Sequence, residues 1–133
     1  MSDAHLLTDL QYSIMRVLWD RGEASAAEIC QAIHAERGLA LSTVATLLSR
    51  LEKRGVVVHD TRARQYVFKP TVTESEVRRT MVSELTDRLF NGDVTALLSH
   101  LLSAREMSPG DLARVKALID SRDASKESSD DNA

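Results

Sequence analysis

The residues best suited to recognition chemistry lie between Leu41 and Arg54, in the stretch LSTVATLLSRLEKR. Wound at about 100° per residue, this stretch has two unlike faces. Val44, Leu47, Leu48 and Leu51 repeat at i, i+3, i+4 and i+7 and form one apolar stripe. The other side carries Ser42, Thr46, Ser49, Arg50 and Lys53, with Thr43 at its margin. Short hydroxyls and long cations are the groups that reach base edges and phosphates. Glu52 is the only acid in the stretch. An ordinary solvated helix face would mix its charges, so the pattern points to a polyanionic partner.

The residues that follow extend this chemistry. Lys53-Arg54-Gly55 places cations at the negative end of the helix and glycine at the stop. The period then changes. Val56-Val57-Val58-His59 is a β-branched run, Asp60-Thr61-Arg62-Ala63 is turn-like, and Arg64-Gln65-Tyr66-Val67-Phe68 reads as a second strand that Pro70 stops. A hairpin directly after a third helix is a wing. Arg62 and Arg64, near its tip, are positioned to grip a phosphate backbone beside the groove that the helix enters.

Bulk charge does not announce this partner, because the chain of 133 residues has a net charge of −3. The distribution is more telling. Residues 1–70 hold 9 Lys/Arg against 8 Asp/Glu, and residues 71–133 hold 8 against 12. The local field, not the total, steers a polyanion. Aromatics are only 4% of the chain, so the core must be aliphatic, and the abundance of Leu, Ala, Arg and Glu is a helical composition. The single cysteine, Cys30, rules out an intramolecular disulfide and fits a reducing compartment. No apolar run approaches the ~18 residues of a membrane helix. The N-terminus lacks the basic-then-apolar pattern of a signal peptide. The expectation is a cytoplasmic protein with no membrane contact.

Two helices must position the recognition stretch. Thr8-Asp-Leu-Gln11 is a capping box, followed by the stripe Leu10, Ile14, Val17 and Leu18 and by Gly22 as a stop. Residues 1–7 read as frayed. Trp19 reads as a core anchor between helices rather than a stacking platform for bases. Ser25-Ala-Ala-Glu28 is a second capping box, and Ala26, Ile29, Cys30 and Ile33 give the buried stripe of a second helix that closes at Arg37-Gly38. Ser42 then caps the third helix. A short turn between the second and third helices is the helix-turn-helix arrangement.

Residues 71–120 read as a separate helical unit. Thr73 and Glu76 open a helix in which Val77, Met81, Leu85 and Leu89 repeat every four residues, and Asn91-Gly92 breaks it. Val94, Leu97, Leu98, Leu101 and Leu102 make a short, very apolar helix. Ser108-Pro109 starts another, with Leu112, Val115, Leu118 and Ile119 on its stripe. About fifty residues in three short helices cannot bury this many leucines alone. They fold back on the first 70 residues or pair with a second copy, and a long helix leaving the wing favours intertwined pairing. Residues 121–133, SRDASKESSDDNA, read as a disordered acidic tail.

Catalytic and metal chemistry find no support. His5, His34, His59 and His100 are scattered, with no two at helical ligand spacing. No serine sits in a G-x-S-x-G elbow and no glycine-rich phosphate loop exists. No enzyme activity, cofactor or metal is expected.

These residues together resemble the penicillinase-repressor family of bacterial transcription repressors, which includes the copper-responsive repressors. The resemblance spans about residues 6–120. It rests on Leu7-Thr8, Val17-Leu18-Trp19, Ser25-Ala26 with Glu28-Ile29, the run Thr43 to Leu51, and Lys53-Arg54-Gly55. Arg64, Tyr66, Phe68, Pro70 and Leu89-Phe90-Asn91-Gly92 extend it past the hairpin. It implies a mainly α fold with a small β wing: a winged helix-turn-helix DNA-binding domain (residues 1–70) followed by a helical dimerisation domain (residues 71–120). It implies a homodimer that sits on a palindromic promoter operator and blocks transcription. By position, Thr43 and Thr46 become the groove-facing hydroxyls, Arg50 a phosphate or base contact, and Arg64 and Tyr66 wing residues.

Three departures accompany the resemblance, the third of them in how repression is relieved. Ser42 stands where several relatives place Lys, and Ala63 where relatives often have Gly. The beta-lactam-responsive members are cleaved at an Asn-Phe dipeptide, and the matching positions here read His100-Leu101. The copper-responsive members need a C-terminal Cys-x-Cys cluster, which this tail lacks. An inactivating protease or sensor is a further partner that the resemblance implies. Two rival readings are a regulator with an effector pocket between its domains and a winged-helix protein-interaction module. The second requires an apolar or acidic outward face on the third helix.

Overall fold

The computed structural model describes residues 6–103 and 108–131, with side chains as far as residue 123. Of residues 1–7, read as frayed, residues 1–5 lie outside the described residues, whereas Leu7 is buried in the core and Leu6 O accepts from Arg54. The chain divides into two compact units, Met1–Leu85 and Thr86–Ala133.

In the first unit the elements run α1 (Asp9–Arg21), β1 (Ala24–Ser25), α2 (Ala26–Arg37), α3 (Leu41–Lys53), β2 (Val57–Arg62), β3 (Gln65–Pro70) and the first part of α4 (Glu74–Phe90). Both capping boxes form reciprocally. Gln11 N donates to Thr8 Oγ1 at 3.2 Å and Thr8 N to Gln11 Oε1 at 3.1 Å. Glu28 N donates to Ser25 Oγ at 3.2 Å and Ser25 N to Glu28 Oε1 at 2.9 Å. Each box satisfies N–H groups that a helix start otherwise leaves open. Gly22 (φ 87°) and Gly38 (φ 60°) then end α1 and α2 in conformations that a Cβ disfavours.

Three helices and a small sheet enclose an aliphatic core. Ile14, Met15 and Leu18 from α1, Ile29 and Ile33 from α2, and Val44, Leu48 and Leu51 from α3 are buried, with Val56, Val57 and Phe68 from the hairpin side. Full burial of each large side chain contributes about 1.5–3 kcal/mol. The sheet is antiparallel, ordered β1-β3-β2. Its third strand is only Ala24-Ser25, paired with Phe68 and Val67. Ser25 therefore joins the sheet and caps α2 at once.

The first unit extends beyond the residue-70 boundary expected from Pro70. Thr71 N donates to Val56 O at 2.9 Å. Trp19 Nε1 donates to Val72 O at 2.9 Å, and the Tyr12 hydroxyl to Glu74 Oε2 at 3.0 Å. Trp19 is thus an anchor, packed edge-on against Tyr12 with ring centroids 5.5 Å apart. These bonds tie the start of α4 down and drive Val77 into the core, where it is fully buried. Val77 is therefore a core residue of this unit and not part of a face for a second copy. Met81 packs half-buried against the same core.

The second unit holds the end of α4, α5 (Val94–Ser103) and α6 (Pro109–Asp131). Asn91 and Gly92 take left-handed backbone between the first two. Asp93 Oδ1 caps α5 by accepting from Ala96 N at 3.0 Å. Ser108 and Asp111 cap α6 reciprocally, each bond 3.2 Å, with Pro109 at its first position. Within the stretch expected as a disordered tail, residues 121–133, α6 runs on as far as Asp131. No Gly or Pro interrupts residues 111–131, and Ala, Lys and Glu there are good helix formers.

Candidate nucleic-acid interface

The local geometry of α3 follows its stripe. Val44, Leu48 and Leu51 are buried and Leu47 half-buried, so Ser42, Thr43, Ala45, Thr46, Ser49, Arg50 and Lys53 are exposed. The helix begins two residues earlier than a cap at Ser42 predicts. Its N-cap is Ala40, not Ser42, because Ala40 holds the extended conformation and its carbonyl accepts from Thr43 N and Val44 N, each at 3.1 Å. No side chain caps this end and no acid lies in its first turn. Leu41 consequently joins the exposed face, half its surface open at 51%.

Thr46 has a more definite posture than the sequence suggests. Its hydroxyl donates back to Ser42 O at 2.9 Å. The proton is thereby committed within the helix, while the oxygen lone pairs and the methyl group stay available. Arg50 and Lys53 make no ion pair among the described residues. Arg54, next in sequence, turns inward and donates to Gln11 Oε1 at 3.1 Å and to Leu6 O. It is a structural cation.

The hairpin differs from its expected form. The turn is not at residues 60–63. Arg62 pairs with Gln65, which leaves Ala63 and Arg64 as a two-residue loop with φ of 51° and 65°. Two consecutive left-handed residues are what a tight hairpin of right-twisted strands demands. Arg64 stands at the tip, exposed and without an ion pair among the described residues. Arg62 is diverted. It is bonded to Glu23 and lies 3.5 Å from Asp60, and these acids raise its pKa further above the ordinary arginine value. Lys69 Nζ sits 3.7 Å from each of the same acids. Arg62 shares a hairpin face with Asp60 and Lys69, so its charge is already balanced.

Tyr66 lies on the opposite face of the hairpin, 55% exposed. Its ring stacks on His59, with centroids 4.0 Å apart and planes 18° off parallel. His59 Nδ1 is in turn 2.6 Å from Glu52 Oε2 on α3. This link between helix and wing was not foreseen. The sequence shows only a lone acid and a lone histidine, and nothing local pairs them.

The structure thus brings Ser42, Thr43, Thr46, Arg50 and Lys53 onto one exposed strip and places Arg62, Arg64 and Tyr66 on the wing, with Arg62 paired there to Glu23 and Asp60. The apolar residues read as a dimer face are distributed unevenly. Leu85, Leu89, Val94, Leu98, Leu102, Leu112, Leu118 and Ile119 are exposed, Leu89 and Leu118 most of all at 62% and 68%. Leu97, Leu101 and Val115 are half-buried. Among the described residues no three His, Cys, Asp or Glu side chains gather where a metal could be held. No helix there is long and apolar enough to cross a membrane.

Comparison with known proteins gives a consistent result. A family model described as penicillinase repressor matches residues 7–121. The penicillinase repressor of Bacillus licheniformis is 20% identical over 114 residues, covering 86% of this chain and 89% of that protein. The methicillin resistance regulatory protein MecI of Mammaliicoccus sciuri is 18% identical over 116 residues, covering 87% and 94%. Among solved structures, the DNA-binding domain of the repressor BlaI is 25% identical with a TM-score of 0.51, covering 57% of this chain and 93% of that one.

Proposed function

Because the chain belongs to the penicillinase repressor family, we propose that it represses transcription by laying α3 in the major groove of an operator while the tip of its wing holds the neighbouring phosphates. It is a transcriptional repressor and not an enzyme. The observation that carries the docking mode is the exposed strip Ser42–Thr43–Thr46–Arg50–Lys53, which is free of acids, with Arg64 standing beyond it on the hairpin. An interaction module would present apolar or acidic residues there instead. Within the strip, Thr43 and Thr46 read bases, Arg50 and Lys53 meet phosphate or base edges, and Ser42 lies nearest the open helix end. Tyr66 flanks the wing contact.

The working form is a homodimer on a palindromic site. Leu85, Leu89, Leu98, Leu102 and Leu118 leave apolar surface uncovered within one chain, and burying it against a second copy offsets the cost of association. Val77, fully buried in the core of the first unit, leaves no surface for that contact. The protein acts in the cytoplasm. Relief of repression through an inactivating protease or sensor would use a contact other than an Asn-Phe dipeptide.

The test is selection of bound fragments from the host's genomic DNA with the purified full chain, followed by titration of the recovered duplex at two salt concentrations. A promoter fragment bound specifically by a dimer supports the reading. A chain that stays monomeric at micromolar concentration, or ignores every promoter fragment at low ionic strength, overturns it.

A further inference from the structure

Beside the acid-free strip lies a cleft of opposite chemistry. The start of α2, the middle of α3 and the inner side of β3 leave about 440 Å³ open between them. The space exists because Ala26, Ala27 and Ala45 are too small to fill it. Its far wall is aromatic. Tyr66 and Phe68 stand 6.3 Å apart at 70°, and His59, stacked behind Tyr66, braces that ring. The volume is in the range of small-molecule sites, which are mostly apolar with a few directed polar groups.

Only one charged residue lines the cleft, and it is Glu52. His59 occupies its Oε2, while its Oε1 makes no hydrogen bond among the described residues. A phosphate backbone is therefore a poor occupant, because it would meet a carboxylate and no cation. An anion of any kind meets the same repulsion. A flat aromatic body fits between alanine and tyrosine surfaces, and a positive donor group fits the open carboxylate oxygen.

We propose that this cleft between α3 and the wing binds a small planar aromatic cation, its ring against Tyr66 and Phe68 and its ammonium or amidinium group on Glu52. Such a ligand touches both elements that hold the duplex, so it acts as an effector that lowers operator affinity. That consequence rests on the DNA reading above; the binding itself does not.

Benzamidine is a suitable probe, and benzoate is its control of matching shape and opposite charge. Each is titrated into the full chain without DNA, and backbone amide shifts are followed by NMR. Saturable benzamidine shifts at Ala27, Ala45, Gln65 and Tyr66, with benzoate weaker by about tenfold or more, support the site. Glu52→Gln, which keeps an acceptor for His59, should narrow that preference by about tenfold. Ala45→Leu, at an exposed position, should fill the cleft and abolish binding while the fold persists. Equal binding of the two probes, shifts scattered over other surfaces, or undiminished binding to Ala45→Leu overturns the proposal. Operator titration with saturating benzamidine then tests the effector role: weaker binding supports it and unchanged affinity removes it. A chain that binds benzamidine but no duplex overturns the repressor docking mode and leaves this site standing.

Discussion

Glu52 at the end of α3 and His59 on β2 meet at 2.6 Å, and His59 carries the contact on to Tyr66 by stacking. The recognition helix and the wing are thereby joined through side chains as well as through the chain between them. The pair is about one-third exposed on each side, so solvent screens part of its attraction. A double-mutant cycle with Glu52→Ala and His59→Ala should give a coupling of about 0.5–1.5 kcal/mol in denaturant unfolding. Strict additivity of the two substitutions would show that the helix–wing link contributes nothing.

Thr46 separates two modes of base reading. Its proton is committed to Ser42 O, which leaves the methyl and an acceptor exposed. Thr46→Ala removes both and should cost about 1–3 kcal/mol in operator affinity, with stability changed by less than about 1 kcal/mol. Thr46→Val keeps a methyl and removes the oxygen. Retained affinity in Thr46→Val assigns the reading to methyl contact with thymine, and equal loss in both variants assigns it to the oxygen. Wild-type affinity in Thr46→Ala would strike the residue from the interface.

The two hairpin arginines should behave differently. Arg64→Ala removes an uncompensated cation at the tip, so binding should weaken for all sequences and the salt dependence should flatten by about one unit of slope. Arg62→Ala breaks a pairing with Glu23 and Asp60 instead. Its salt slope should stay close to wild type. Anisotropy titrations across a salt series distinguish them, and matching slopes for both variants would contradict the assignment.

Ala63 carries backbone strain, with φ of 51° in a loop that favours glycine. A non-glycine residue in the left-handed region costs roughly 1–2 kcal/mol, part of which glycine returns through the greater freedom of its unfolded chain. Ala63→Gly should therefore stabilise the protein by about 0.5–1 kcal/mol. Thermal unfolding reads this directly, and a lower Tm would mean that the turn is not held as described.

Glu28 links stability to pH. The Ser25 backbone N–H and then its hydroxyl lower the Glu28 pKa below its ordinary 4.5. A lowered folded pKa means that the contribution is complete above the unfolded value and fades as pH falls through the folded one. Glu28→Gln keeps the capping geometry and removes the titration. Its Tm should fall less than that of wild type on acidification below about pH 4.5. Parallel curves for the two proteins would locate the acid sensitivity elsewhere.

What the sequence determined alone is local. Capping boxes at Thr8 and Ser25, glycine stops at 22 and 38 and the stripe of α3 all depend on neighbours within a turn or two, so periodicity and residue type sufficed to place three helices and their exposed hydroxyls and cations. The hairpin was legible as two β-branched runs, although its turn was displaced because no glycine marks Ala63. Tertiary structure decided whatever joins residues distant in sequence. Ala24-Ser25 becomes a strand only because β3 offers it a free edge. Val77 is core rather than dimer face because Trp19 and Tyr12 fasten the chain just before it. Arg62 is paired with Glu23, a residue far upstream. A side chain's freedom to meet a ligand depends on which charges the fold has already set beside it, and Arg50, Arg62 and Arg64 look alike until that fold is known.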